Sequence, residues 1–185
     1  MRNNLDYPLL YLKKFKQILN IHENNLIKLL EIKKLLLTAK RKDKKVFIFG
    51  NGGSASIASH FSVDLTTNCN IKCHNFNEAN LITCLSNDFG YKNWITKSLS
   101  YFAKKDDILI LVSSSGKSNN MIEAFKFAKK NKLKIITFTG FDKNNRLNKM
   151  SKINIWIDSQ NYNFIENAHQ VLLLLLVDWI KKNKF

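Results

Sequence analysis

Apolar positions recur along the chain with two different spacings. Over residues 7–39 the apolar side chains return every three or four positions, as in Leu12, Phe15 and Ile18, and a polar stretch at 20–25 interrupts the pattern. This spacing predicts two amphipathic helices, one on each side of the break.

From residue 46 onwards, short apolar runs alternate with longer segments of helical period. The runs predict strands at 46–49, 108–112, 134–139 and 153–157, with a weaker edge strand near 71–76. The intervening segments predict helices at 54–66, 78–85, 92–102, 118–131 and 162–182. Strands separated by helices pair in parallel through right-handed crossovers. The predicted fold class is therefore α/β, a doubly wound parallel sheet with an N-terminal helical extension.

Two of the predicted strands end in turns that are suited to binding anions. The first strand runs into Gly50-Asn51-Gly52-Gly53-Ser54, and the second into Ser113-Ser114-Ser115-Gly116-Lys117-Ser118. Glycines allow the backbone to come close to a ligand, and the free N–H groups at the start of the helix after each turn favour negative charge. In the second turn, Ser118 is placed to cap the helix that follows. The carboxyl ends of parallel strands share one edge of a sheet, so both turns are expected to face one ligand.

The first turn lacks the spacing of the dinucleotide and ATP fingerprints, so neither of those ligands is indicated. Taken alone, it is equally consistent with a tight strand-to-helix turn that has a serine cap. The second turn favours the interpretation that both bind a phosphate group or sugar hydroxyls.

These turns and three further segments resemble sugar isomerase (SIS) domains. The matching segments are Gly50–Ser54, His60–Leu65, Asn87–Gly90, Ser113–Ser118 and Ile136–Gly140, in order along nearly the whole chain. They resemble in particular the phosphoheptose isomerases, which convert sedoheptulose 7-phosphate to a heptose 7-phosphate. The resemblance implies a flavodoxin-like SIS fold, a sugar-phosphate ligand and a homo-oligomer, either a dimer or a homotetramer.

The domain organisation follows from the resemblance and from the absence of any Pro-, Gly- or Ser-rich linker in the 185 residues. We interpret 1–185 as a single SIS domain, in which 41–185 form the α/β core. The helices at 1–40, together with the C-terminal helix, are expected to mediate oligomerisation.

The resemblance also implies which residues bind the substrate. Those expected to contact the phosphate and the sugar hydroxyls are Asn51, Gly52, Gly53, Ser54, Asn87, Asp88, Ser113, Ser114, Ser115, Ser118 and Glu166. For Asn87 and Asp88, a loop that ends a helix with Gly90 as its cap is the structural alternative.

His60 and Asp64 lie four residues apart and share one face of the predicted helix. This spacing suits a metal site, an acid/base pair or a surface ion pair. By resemblance, Asp64 replaces the glutamate that serves as the general base, and His60 matches a zinc ligand. Isomerisation moves a proton between C1 and C2 through an enediol, which needs such a base and an acid or metal. The resemblance thus implies Asp64 as base and zinc held by His60, Asp64 and Glu166.

The C-terminal helix departs from the family pattern. When it is aligned on 165–169, the family's glutamine falls on Glu166, an intermediate histidine on His169 and the catalytic histidine on Leu174. Leucine neither transfers a proton nor binds zinc. The leading interpretation is an isomerase in which Glu166 or His169 supplies the missing acid. A non-catalytic, regulatory phosphosugar-binding protein and an assembly partner with a vestigial pocket are the alternatives.

Composition bears mainly on partners and location. The net charge is +16, but the lysines are scattered in pairs apart from one cluster at 40–45, so a solvated surface is expected and nucleic acid is not an expected partner. The three cysteines favour a reducing cytoplasm. Cys69, Cys73 and His74 lack the spacing of a metal site. His22 and His74 are interpreted as surface or structural residues. No signal peptide is visible, and the longest apolar run, 171–177, is too short to cross a membrane.

Overall fold

A computed structural model describes residues 5–21 and 23–182 of the chain. Within these residues the strands are β1 (Val46–Phe49), β2 (Cys73–His74), β3 (Ile108–Ser113), β4 (Lys134–Thr139) and β5 (Ile153–Trp156). The helices are α1 (Asp6–Ile18), α2 (Glu23–Arg41), α3 (Gly53–Cys69), α4 (Ala79–Phe89), α5 (Trp94–Phe102), α6 (Asn119–Lys130), α7 (Arg146–Met150) and α8 (Tyr162–Lys182). A short 3-10 helix, Tyr91–Asn93, joins α4 to α5.

All the strands pair in parallel in the order β2-β1-β3-β4-β5. Successive side chains of a strand point to opposite faces of the sheet, and both faces are covered. In β1, Ile48 packs on the side of α2, α3 and α8, whereas Phe47 and Phe49 pack on the side of α5 and α6. This double coverage explains why the strands appear in the sequence as continuous apolar runs, and it confirms the predicted doubly wound α/β class.

The elements agree closely with those predicted, and the differences are local. The edge strand shrinks to two residues, and the helix expected at 78–85 extends to Phe89. The five-residue α7 was not predicted. It begins after Asn145, whose side-chain oxygen accepts a bond from the Asn148 N–H. The predicted break between α1 and α2 is present, and His22 lies outside the described residues.

The two N-terminal helices differ in how they bury their apolar side chains. Helix α2 places Leu29, Ile32 and Leu36 in the core. Helix α1 buries none of its residues fully, and Tyr7 and Leu9 are 74% and 64% exposed. The apolar face of α1 is therefore largely uncovered in a single chain.

Several lysines of the basic surface bond to backbone carbonyls at the amino edge of the sheet. Lys40 Nζ donates to the Cys69 carbonyl at 2.8 Å, and Lys44 Nζ donates to the Lys105 carbonyl at 2.9 Å. Cys69 ends α3, where a positive charge compensates the negative end of the helix dipole. No disulfide joins the three cysteines. In the described part of the chain, no helix is long and apolar enough to cross a bilayer.

Candidate functional site

The two predicted turns meet at the carboxyl edge of the sheet and enclose a cavity of about 330 Å³. It is lined by Asn51, Gly52, Gly53, Ser54, Val112, Ser113, Ser114, Ser115, Ser118, Tyr162 and Glu166. The structure thus brings together every turn residue that the sequence predicted as a ligand contact, and Glu166 of α8, which was also predicted, lines the same cavity.

The turn after β1 depends on two glycines for different reasons. Gly52 has φ +56°, a backbone conformation that residues other than glycine rarely adopt. At Gly53, a β-carbon would overlap with the carboxylate of Glu166. Helix α3 therefore begins without a bulky side chain, and Glu166 approaches its first turn, where the positive end of the helix dipole favours a carboxylate.

The turn after β3 presents hydroxyl groups to the cavity. Ser113 and Ser114 are buried, and Ser114 Oγ has no hydrogen-bond partner among the described residues. Ser118 precedes α6, but its side chain makes no capping bond, contrary to the sequence prediction. Because buried hydroxyls normally find a partner, the unpaired Ser114 hydroxyl indicates a position that a ligand can fill.

Glu166 is the one carboxylate among the residues that line the cavity. It lies in the second turn of α8, and the Ser54 hydroxyl donates to its Oε1 at 3.5 Å. Tyr162 lies one turn earlier on the same helix and adds a phenol to the wall. Tyr162 was missed in the sequence because no motif precedes it.

His60 and Asp64 form a pair farther along α3. His60 Nε2 lies 3.3 Å from Asp64 Oδ2, and the Gln170 amide nitrogen lies 3.3 Å from His60 Nδ1. With that amide as donor, Nδ1 accepts and Nε2 carries the proton toward the carboxylate. Gln170 thus orients His60, and His60 orients Asp64.

The His60–Asp64 pair and the cavity occupy different levels of the packed helices α3 and α8. His60 lies seven positions after Gly53, which corresponds to about 10 Å along a helix. On α8, Gln170 lies one turn beyond Glu166, and Leu174 lies one turn beyond Gln170. Leu174, at the position of the family's histidine, therefore belongs to the level of the His60–Asp64 pair and not to the cavity.

This offset bears on the predicted zinc ligands His60, Asp64 and Glu166. Within residues 5–21 and 23–182, no group of three or more His, Cys, Asp or Glu side chains is close enough to hold a metal ion. His60 and Asp64 bond to each other, and Glu166 lies at the cavity. The residues of one described chain thus do not fit the zinc site that the resemblance implies.

His169 does not have the position of a catalytic acid. Its side chain is fully buried, Nε2 donates to the Thr139 carbonyl at 3.1 Å, and the ring packs edge-on against Phe138. Burial lowers the pKa of His169 to about 4, against the smaller opposing effect of the Thr139 bond. We correct the catalytic prediction for His169. Its neutral imidazole is buried against Thr139 and Phe138 of β4 and cannot reach a ligand in the cavity.

Asn87 and Asp88 also lie away from the cavity. Both are exposed in the last turn of α4, and the Asn87 amide donates to Asp88 Oδ1 at 3.1 Å. Gly90, with φ +80°, ends the helix and donates its N–H to the Ser86 carbonyl. Their position matches the structural alternative, a capped helix end, and corrects the substrate-pocket prediction for a single chain.

One sequence family matches most of the chain. The sequence model of the SIS domain matches residues 10–140. The phosphoheptose isomerase of Sulfurimonas denitrificans is 30% identical over 176 residues, which cover 92% of this chain and 90% of that protein. The phosphoheptose isomerase of Buchnera aphidicola is 31% identical over 183 residues, with coverage of 94% and 90%.

Solved structures share the fold over almost the full length. The phosphoheptose isomerase of Neisseria gonorrhoeae superposes with a TM-score of 0.87 at 24% identity and covers 98% of each chain. That of Francisella tularensis gives a TM-score of 0.85 at 24% identity, covering 96% of this chain and 98% of the other.

Proposed function

The chain belongs to the SIS domain family, and we propose on this basis that it is a sugar-phosphate isomerase. Relatives that carry the name phosphoheptose isomerase support sedoheptulose 7-phosphate, or a similar sugar phosphate, as its substrate. The observation that carries the proposal is the cavity, because it combines hydroxyl and backbone groups suited to a phosphate with a neighbouring carboxylate.

The phosphate group binds at the serine turn, next to the first turn of α6. Ser113, Ser114, Ser115 and Ser118 surround this position, and the helix N-terminus favours an anion. The first turn of α3 already faces the carboxylate of Glu166, so a dianionic phosphate is less favoured there. Glu166 instead accepts hydrogen bonds from the sugar hydroxyls beside the phosphate.

Proton transfer occurs at the other level of α3 and α8, with Asp64 as the general base. A sugar 7-phosphate carries its phosphate at the end of the chain opposite C1 and C2, so the reacting carbons lie away from the serine turn. The Asp64 carboxylate, oriented by His60, takes the proton from C1 of the ketose and returns it to C2 of the enediol, while the proton of the C1 hydroxyl passes to the C2 oxygen. The acid predicted at Glu166 would act only if the reacting carbons lay in the cavity.

Because the described residues do not fit a zinc site, no step of this mechanism passes through a metal. The enediolate oxygen that forms beside Asp64 needs a hydrogen-bond donor. The Gln170 amide gives one hydrogen to His60 and keeps the other, whereas the single N–H of the neutral His60 ring faces Asp64. The remaining N–H of Gln170 is therefore the proposed donor in the absence of a histidine at 174.

The active form is a cytoplasmic homo-oligomer, a dimer or tetramer. The uncovered apolar side chains of α1 support this, as do Val63, Val171 and Leu175, which lie exposed on α3 and α8 near the His60–Asp64 pair. A second copy that covered this face would also shield the pair from water. Light scattering of the purified protein, compared with a Leu175→Asp variant, tests the assembly: a wild-type monomer would contradict it.

Formation of heptose 7-phosphate from sedoheptulose 7-phosphate by the purified protein tests the activity. We expect turnover by the wild-type protein and none by Asp64→Asn. Tight binding of the sugar phosphate without turnover by either protein would contradict the isomerase and favour the regulatory alternative.

A further inference from the structure

A network of three side chains lies beside the cavity, and one of them, Asn51, lines it. The Asn51 amide nitrogen donates to Asn120 Oδ1 at 3.1 Å, and the Asn120 amide nitrogen donates back to Asn51 Oδ1 at 2.9 Å. The Tyr91 hydroxyl donates to the same Asn51 oxygen at 3.0 Å. Asn51 lines the cavity, whereas Asn120 is only 2% exposed, on the first turn of α6.

The backbone fixes which way both amides point. The N–H of Met121 lies 3.0 Å from Asn120 Oδ1, and a backbone N–H can only donate. The Asn120 atom at this position must therefore be the oxygen, and its nitrogen must face Asn51. It follows that the Asn51 atom opposite this nitrogen is its oxygen, which also suits the Tyr91 hydroxyl.

This orientation limits what Asn51 can offer a ligand. Its oxygen already accepts two hydrogen bonds, from Asn120 and from Tyr91, which matches the two lone pairs of an amide oxygen. Its nitrogen gives one hydrogen to Asn120 and keeps the other. Asn51 is therefore left with a donor and no free acceptor.

We propose that Asn120 and Tyr91 are positioning residues that make Asn51 a donor-only contact and so favour a phosphoryl group over a neutral sugar end at the first turn of α6. The unprotonated oxygens of a phosphate group only accept hydrogen bonds, whereas a sugar hydroxyl also needs an acceptor. The inference rests on the proposed function, since it concerns the same cavity. It assigns selectivity for the phosphate to two residues outside the glycine and serine turns.

The test measures affinity for three ligands: inorganic phosphate, sedoheptulose 7-phosphate and unphosphorylated sedoheptulose. Asn120→Leu removes both amide bonds without adding charge. We expect it to weaken phosphate binding and to raise KM for the sugar phosphate about tenfold or more. Without Asn120, the Asn51 amide is no longer held in the orientation in which it donates a hydrogen bond to the charged ligand. We expect kcat to change less than about twofold and the affinity for unphosphorylated sedoheptulose to stay constant.

Tyr91→Phe serves as the second variant, because Tyr91 is exposed and its replacement spares the fold. It should shift the same constants in the same direction by about two- to fivefold. The matched controls are Asn119→Leu and Tyr101→Phe at exposed positions, and both should leave all three affinities unchanged. In the wild type, phosphate should change the NMR chemical shift of only one of the two side-chain amide protons of Asn51. In Asn120→Leu, this difference between the two protons should disappear.

Three results distinguish this inference from the function on which it rests. If the wild type binds phosphate and both variants bind it equally well, the positioning role is overturned while the isomerase stands. If the wild type binds neither phosphate nor sugar phosphate, the proposed function fails and the inference fails with it. An equal loss of affinity for phosphorylated and unphosphorylated sugar would also overturn it, since that indicates general damage to the cavity.

Discussion

Helices α3 and α8 carry two functional regions that differ in almost every respect. The cavity end holds Gly53, Ser54 and Glu166 beside the serine turn, and the hydroxyl-bearing residues Ser54, Ser113 and Ser114 are buried there. The outer end holds His60, Asp64 and Gln170, and the side chains of His60 and Asp64 are 47% and 30% exposed. By the sequence resemblance, the cavity end keeps the family pattern except at Glu166, whereas the outer end has Asp64 in place of a glutamate and Leu174 in place of a histidine.

The proposed function therefore places binding and chemistry at different ends of α3 and α8. Phosphate binding depends on backbone turns, which short motifs specify. Proton transfer depends on how two helices align over several turns, which no motif specifies. Substitutions at the cavity end should therefore change affinity, and substitutions at the outer end should change the rate.

The largest effect is expected at the outer end, from Asp64→Asn. Removing a positioned general base should lower kcat on the order of 10³-fold and leave KM within about twofold. Steady-state kinetics measures both constants. Glu123→Gln, which breaks a surface pair with Lys126, is the matched control and should change neither. An unchanged kcat in Asp64→Asn would move the chemistry to the cavity end.

His169, which is buried on α8 between Glu166 and Gln170, should make the stability of the fold depend on pH. Burial lowers the pKa of His169 to about 4 in the folded protein, against about 6.5 for an unfolded histidine. Below pH 6.5 the unfolded chain binds the proton first, so stability is lost as the pH falls from 6.5 toward 4, by about 3 kcal/mol in all.

Urea unfolding between pH 4 and 7 measures this loss. His169→Leu should be less stable at neutral pH, because it lacks the Thr139 bond, and should lose less stability on acidification. An equally steep pH dependence in His169→Leu would show that His169 is accessible to protons when folded, and would reopen its catalytic role.

At the cavity end, the double variant Ser115→Ala, Ser118→Ala tests phosphate binding. Loss of two hydroxyls beside a phosphate should raise KM for the sugar phosphate about 10- to 100-fold, while kcat at saturation stays within about twofold. Calorimetry with inorganic phosphate should show the same loss. Ser100→Ala, on the exposed face of α5, is the control. Unchanged affinity would count against placing the phosphate at the serine turn.

The smallest effect has an informative sign. Glu166→Gln removes a negative charge from the cavity, so it should tighten binding of inorganic phosphate about three- to tenfold, less so at high salt. Calorimetry at two ionic strengths measures this change. A large fall in kcat with unchanged phosphate affinity would instead support the acid predicted at Glu166.

The sequence was sufficient for the sheet and the two turns, because buried parallel strands are continuous apolar runs and glycine and serine turns are local. It failed where a role depended on distant neighbours. Asn120 was not predicted as a functional residue, because it lies inside a predicted helix and only the fold brings it to Asn51. His169 matched a family position by spacing, but its burial against Thr139 depends on how α8 packs over β4.

Asn87 and Asp88 illustrate the same limit. Their motif suited a pocket, but α4 continues to Phe89 and leaves both side chains exposed. It is Tyr91, just beyond the motif, that reaches the cavity wall through Asn51. The offset between Glu166 and Asp64 likewise became apparent only when α3 and α8 were seen packed together.

The most direct test of the separation between binding and chemistry is deuterium incorporation from D₂O into sedoheptulose 7-phosphate, followed by NMR without added zinc. The wild-type protein should introduce deuterium at the carbon next to the carbonyl. Asp64→Asn should introduce none while still binding the sugar phosphate. Undiminished exchange by Asp64→Asn, or no exchange by a wild-type protein that binds the sugar phosphate, would contradict Asp64 as the base and the outer end as the place of reaction.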